Sequence, residues 1–94
     1  MTDLTLAICM YNAEKYIEET LESVMAQTMQ DFHLLIVNDC STDGSVDVVE
    51  QFFTRHPRQH ELVNLPVNGG LSAGRRYVEE NATTKYIMFV DADD

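Results

Sequence analysis

Phe32-His33-Leu34-Leu35-Ile36-Val37-Asn38-Asp39 is the stretch on which the fold turns. Only His33 interrupts the apolar run from Phe32 to Val37, and the run ends abruptly in an amide and a carboxylate. A strand with one wet face alternates apolar and polar residues. A nearly continuous run marks a strand covered on both faces, as in a parallel sheet. Tyr86 to Val90 (YIMFV) has the same character and runs into Asp91-Ala92-Asp93-Asp94. Leu4 to Cys9 and Glu61 to Leu65 also read as strands.

Helical patterns lie between these strands. Ile17, Leu21, Val24 and Met25 recur at helical spacing, with Glu18, Glu19 and Glu22 facing out and Asn12 as the expected N-cap. Val46, Val49, Phe52 and Phe53 share a face of a second helix, capped by Asp43 or Ser45 and bounded by Pro57. A glycine-containing loop, Gly69 to Gly74, leads into a short helix over Arg75 to Asn81. Strand and helix thus alternate three times before a last strand, which predicts an α/β domain with right-handed parallel crossovers.

The chain has 94 residues, enough for one small domain. Sixteen Asp and Glu stand against six Lys and Arg, for a net charge of -10. That balance argues against a nucleic-acid or anionic-membrane surface as partner, since both need basic patches. The acidic excess reads either as a solubilising face or as carboxylates gathered for a divalent cation. Cys9 and Cys40 form no C-x-x-C pair and no zinc spacing, which favours a reducing, cytoplasmic setting. No signal peptide and no apolar run of about 20 residues is present, so the chain reads as soluble. Attachment to the inner face of a membrane is left to any further part of the protein. The run of acids at Asp94 suggests a fragment of a longer domain.

In open α/β sheets, ligands bind beyond the carboxyl ends of the strands. Here those ends carry Tyr11-Asn12, Asn38-Asp39, Asn68-Gly69-Gly70 and Asp91-Ala92-Asp93. Alternate side chains of an extended backbone point the same way, so Asp91 and Asp93 can face one ion. Oxygen ligands of this kind suit Mg²⁺ or Mn²⁺, which complete their shells with water and substrate phosphates. Rival nucleotide folds lack their marks. Cys9-Met10-Tyr11-Asn12 stands where a dinucleotide-binding domain needs G-x-G-x-x-G, and Arg75-Arg76 follows Gly74 where a P-loop needs Lys-Ser/Thr.

Four segments together resemble family 2 glycosyltransferases. Thr5 to Asn12 (TLAICMYN) resembles S-V-I-I-P-x-Y-N, and Ile36 to Ser45 (IVNDCSTDGS) resembles V-[DN]-D-x-S-x-D-G-[ST]. Asn68 to Arg75 (NGGLSAGR) resembles N-x-G-L-S-x-A-R, and Tyr86 to Asp94 (YIMFVDADD) resembles Y-[IL]-x-F-[LV]-D-x-D-D. The resemblance implies a Rossmann-like GT-A nucleotide-binding half, with four mainly parallel strands in the order 3-2-1-4 and helices on both faces. Residues 1–94 would be the N-terminal, nucleotide-sugar-binding part of a catalytic domain, cut at its D-x-D motif.

The implied activity is transfer of a sugar from a nucleotide-diphosphate sugar, a UDP-sugar by expectation, to an acceptor hydroxyl with inversion. The setting would be polysaccharide or glycoconjugate synthesis, with an acceptor glycan or lipid-linked sugar. Tyr11 would pack on the base, Asp39 would accept its ring N–H, Arg75 would lie near the nucleotide, and Asp91 near ribose and metal. Asp93 would be the main ligand of the Mn²⁺ or Mg²⁺, with Asp91 beside it. The catalytic base is expected beyond Asp94. Cys9, Met10, Gly74 and Arg76 depart from the family pattern, the first two at the base pocket. The alternative is a non-catalytic nucleotide-binding module, or a truncated product without transferase activity. The strand order also leaves Tyr86 to Val90 at a sheet edge, where the chain is expected to self-associate.

Overall fold

The computed structural model describes residues 3–92, the side chain of Leu71 excepted. Its elements are β1 (Leu4–Met10), α1 (Ile17–Met25), β2 (His33–Asn38), α2 (Ser45–Arg55), β3 (Glu61–Asn64), α3 (Leu71–Asn81) and β4 (Tyr86–Asp91). The four strands form one sheet in the order β3-β2-β1-β4. Every pairing is parallel. The chain therefore builds outward from β1 through β2 to β3, then returns across β1 to lay down β4. The crevice between β1 and β4 is the topological switch point, where such sheets bind ligands.

The continuous apolar runs are explained by two cores, one on each face. Leu6, Ile8, Met10, Leu34 and Ile36 point to one side and pack with Ile17, Leu21 and Val24 of α1 and Val49, Phe52 and Phe53 of α2. Ala7, Leu35 and Val37 point to the other, where Val78 of α3 covers them. Ile8, Leu34, Ile36 and Val37 are wholly shielded from solvent, as central strands of a doubly covered sheet must be. Gly74 lets α3 lie close, because a Cβ there would come within 3.0 Å of the Cys9 Sγ.

Three local expectations change. Asn12 does not cap α1, which begins at Ile17 with no side-chain cap; Asn12 instead adopts a left-handed conformation at φ 49. The last helix starts at Leu71, four residues before Arg75, because Gly70 at φ 77 makes the turn that releases it. Met29 and Met88, whose apolar character suggests core positions, are 51% and 48% exposed. Met88 lies on the edge strand β4, none of whose residues is fully buried. Among the described residues no helix is long and apolar enough to cross a membrane.

Candidate functional site

At the carboxyl ends of β1, β2 and β4 lies a cleft of about 450 Å³, a volume within the range of small-ligand sites. Cys9, Met10 and Ala13 make its apolar floor. Tyr11, Asp39, Asn68, Gly70 and Asp91 supply the rim. The sheet register explains the convergence: Cys9 pairs with Val37 and with Asp91, so the ends of three strands arrive at one level.

Tyr11 is 49% exposed and offers an open ring face beside the cleft. Asp39 is the opposite kind of group. It is only 5% exposed, and its Oδ1 accepts the Gly69 N–H at 2.9 Å. The Asn68 Nδ2 donates to the Asp39 carbonyl at 3.4 Å. The glycine loop is thus fastened to the end of β2 by the same residue that faces the cleft. Asp91 closes β4, exposed, on the far wall. Arg75 occupies the first turns of α3, with its guanidinium over the Phe89 ring at 4.8 Å to the centroid. Its charge reaches the Cys9 thiol, though it takes no place in the cleft lining. Burial pushes the Cys9 pKa up; Arg75 opposes this, while Asp91 and Asp39 add to it. The thiol therefore stays protonated near neutral pH and acts as a small apolar surface.

Asp93 and Asp94 lie outside the described residues. Among the described residues no three His, Cys, Asp or Glu side chains gather tightly enough to enclose an ion. Asp91 is a hard oxygen donor on an open rim, which suits a cation held by one or two carboxylates and completed by ligand phosphates, not an all-protein cage.

The tightest polar construction at the site was not legible as such in the sequence. Asn12 and Cys40, both left-handed at φ 49 and φ 60, follow directly on Tyr11 and Asp39. The Asn12 Oδ1 accepts the Thr42 N–H at 2.8 Å and the Asp43 N–H at 3.3 Å. The Asn12 N–H donates to the Ser41 Oγ at 3.0 Å, and the Ala13 N–H donates to the Ser45 Oγ at 2.8 Å. Two further bonds run between the loops in opposite directions: the Glu14 Oε1 accepts the Gly44 N–H at 2.9 Å, and the Asp43 Oδ2 accepts the Glu14 N–H at 3.2 Å. Neither Asp43 nor Ser45 is the N-cap of α2: that position is Gly44, with no side-chain cap bond, and Asp43 instead takes the N–H of Ser45, the first helical residue, through Oδ1. The tolerance of Asn for left-handed backbone was the one available clue to this role.

Desolvation by the neighbouring loop acts to raise the pKa of the exposed Asp43. Hydrogen bonds from the Ser45 hydroxyl and N–H and from the Glu14 N–H outweigh it, and the net direction is down. A carboxylate with a lowered folded-state pKa contributes stability that is complete above its unfolded value and is lost as pH falls through the folded one. Asp43→Asn is accordingly expected to lower the thermal midpoint at neutral pH. The gap between the two proteins should close as pH drops below the ordinary carboxylate range. Melting curves over a pH series check this, and a gap independent of pH would contradict it.

Comparison with known proteins agrees with this geometry. The family model for glycosyl transferase family 2 matches residues 5–94. The chain is 40% identical over 94 residues to a teichoic acid poly(glycerol phosphate) polymerase of Staphylococcus epidermidis, covering all of this chain and 13% of that protein. It is 34% identical over 93 residues to a poly(ribitol-phosphate) beta-glucosyltransferase of Bacillus spizizenii, covering 97% of this chain and 15% of that one. The chain therefore spans a small part of the relatives it matches. Among solved structures, S. aureus TarS 1-349 in complex with UDP-GlcNAc superposes with a TM-score of 0.85 at 32% identity, over 99% of this chain and 27% of that one. The mannosyltransferase PcManGT of Pyrobaculum calidifontis, in complex with GDP-Man and Mn²⁺, does so with a TM-score of 0.89 at 26% identity, over 97% and 27%. The family match over residues 5–94, the strand order and the position of the cleft lead to one conclusion: this chain belongs to glycosyl transferase family 2 and has the GT-A fold.

Proposed function

We propose that residues 1–94 form the donor-binding part of an inverting, metal-assisted glycosyltransferase that uses a UDP-sugar. The observation that carries the reading is the cleft at the switch point, walled by Tyr11, Asp39 and Asp91. In this reading the base stacks on Tyr11 and its ring N–H meets Asp39. One carboxylate oxygen of Asp39 is engaged by Gly69, which leaves the other for the ligand. Uracil offers one ring N–H between two carbonyls and so matches a single acceptor. TarS with UDP-GlcNAc supports uridine, while GDP-Man in PcManGT marks the purine alternative.

Asp91 and Asp93 would hold a Mn²⁺ or Mg²⁺ beside the diphosphate, with Arg75 near the nucleotide. The Mn²⁺ of PcManGT supports that assignment. Such an ion, when bound, stabilises the negative charge that builds on the departing nucleoside diphosphate. The residues of this chain bind and orient the donor: Tyr11 and Asp39 fix the base, and the apolar floor of Cys9, Met10 and Ala13 excludes water beneath it. Acceptor binding and removal of the acceptor proton fall to residues beyond Asp94. The teichoic acid enzymes among the relatives support a cell-wall polysaccharide or glycoconjugate as acceptor. Titration calorimetry of the chain with UDP, GDP and uridine, with and without Mn²⁺, tests the reading. Binding of UDP in preference to GDP, and of neither sugar-free nucleotide in a Tyr11→Ala Asp39→Ala variant, is expected. Absence of binding in the parent chain would overturn it.

The edge at β4 has its own expected consequence. Among the described residues strand β4 pairs only with β1, and Tyr86 is 58% exposed beside Met88. Exposed apolar edges with little charge pair with other chains. The 94-residue chain is expected to dimerise or aggregate through this strand. Met88→Lys should raise the monomer fraction in light scattering at high concentration. A parent chain that stays monomeric there would contradict this.

A further inference from the structure

The two loops that carry the cleft's aromatic ring and its buried carboxylate are joined by several side-chain hydrogen bonds, and those of the Asn12 side chain follow directly on Tyr11. Tyr11 is followed by the left-handed Asn12, and Asp39 by the left-handed Cys40. A non-glycine residue in that conformation is held by its surroundings. Here the holding is mutual. The Asn12 carboxamide oxygen accepts the N–H groups of Thr42 and Asp43, and the Asn12 N–H donates to the Ser41 hydroxyl. The Ser41 hydroxyl in turn donates to the Asn38 Oδ1, and the Asn38 Nδ2 donates to the Asn64 Oδ1 at 2.9 Å. Asn38 is only 5% exposed, so this end of the chain of bonds is fixed in the sheet. Between Asn38 and Ser41 lie only Asp39 and Cys40.

We propose that Asn12 is a positioning residue: its side-chain oxygen sets the separation of Tyr11 from Asp39, and through Asp39 the placement of the Gly69 loop. The oxygen is the necessary part. It ties the segment after Asp39 to the segment after Tyr11, so that neither wall of the cleft shifts alone. The Asp39 Oδ1 then meets the Gly69 N–H at 2.9 Å and passes the constraint to the third loop. The binding consequence rests on the nucleotide-site reading above; the mechanical coupling does not.

The test uses three proteins and two readouts. Asn12→Gly keeps the left-handed backbone accessible and removes the oxygen. Asn12→Asp keeps an oxygen acceptor at the same place. Amide hydrogen exchange needs no ligand. In Asn12→Gly the Gly69 amide is expected to exchange about tenfold faster, while the Ile36 amide in the centre of β2 keeps its rate. Asn12→Asp should return Gly69 to within about twofold of the parent. In calorimetry, UDP affinity should fall about five- to tenfold in Asn12→Gly and recover in Asn12→Asp. Unchanged Gly69 exchange in Asn12→Gly overturns the proposal, as does equal acceleration at Ile36, which signifies general destabilisation. Failure of Asn12→Asp to rescue also overturns it. If the parent chain binds no UDP, the nucleotide reading fails by itself, and the Gly69 exchange still decides the coupling.

Discussion

Asp39→Ala is expected to weaken uridine nucleotide binding by about 1.5–3 kcal/mol, the range for a hydrogen bond to a charged group. That corresponds to roughly ten- to over a hundredfold in the dissociation constant. Two losses add in the same direction. The base N–H loses its acceptor, and the Gly69 N–H loses the Asp39 Oδ1 that fastens the glycine loop. A chemical control separates them. A 3-methyluridine nucleotide has no ring N–H, so it should bind the parent chain weakly and lose only the loop contribution in Asp39→Ala. If the variant loses as much affinity for the methylated ligand as for the uridine one, Asp39 acts through the loop alone. Asp39→Asn keeps an acceptor for Gly69 without the charge and should fall between the two. The measurement is titration calorimetry in the presence of Mn²⁺, with amide spectra to confirm that the sheet is intact.

Chelating divalent cations is expected to reduce UDP affinity about a hundredfold or more while leaving uridine binding nearly unchanged. The reason is electrostatic. A chain of net charge -10, with Asp91 on the cleft wall and Asp93 two residues further on, repels a diphosphate. A divalent cation between them contributes several kcal/mol of charge stabilisation, of which about 2.7 kcal/mol already makes a hundredfold. Asp93→Ala should abolish the metal dependence together with most of the diphosphate contribution, and Asp91→Ala should reduce it. The nucleoside serves as the internal standard, because Tyr11 and Asp39 reach it without the ion. Equal UDP affinity in Mn²⁺ and in chelator would sink the metal assignment while leaving the base assignment standing. Sugar transfer by the 94-residue chain alone would contradict the assignment of the acceptor chemistry to residues beyond Asp94.

The sheet was legible because burial on two faces leaves a mark that does not depend on remote partners. FHLLIV and YIMFV both became strands within a residue of their apolar limits, but only β2 is covered on both faces; β4 lies at the sheet edge with Tyr86 and Met88 exposed. The helix faces were legible for the same reason: Val49, Phe52 and Phe53 are buried together on α2. Helix starts were less so. The Gly70 turn at φ 77 begins α3 four residues before the residues that carry visible helix character. A glycine marks a turn in sequence without saying on which side of it the helix lies.

What the sequence by itself determined is the parallel α/β layering and the set of polar groups delivered to the strand ends: Tyr11, Asp39, Asn68 and Asp91. Strand periodicity and the position of each polar break are local properties, and they survive whatever the rest of the chain does. Tertiary structure alone decided how those groups are held. Asn12 was a sound helix cap on local grounds, yet its oxygen serves a loop 30 residues away. Glu14 carries no local sign of its partner, yet it takes an N–H at the start of α2. Arg75 follows the glycine loop in sequence, yet it lies over Phe89 beside the cleft. Short polar side chains have many partners within reach of their own backbone. Which one they take depends on which loops the crossovers bring together, and that is fixed only when the sheet closes in the order β3-β2-β1-β4.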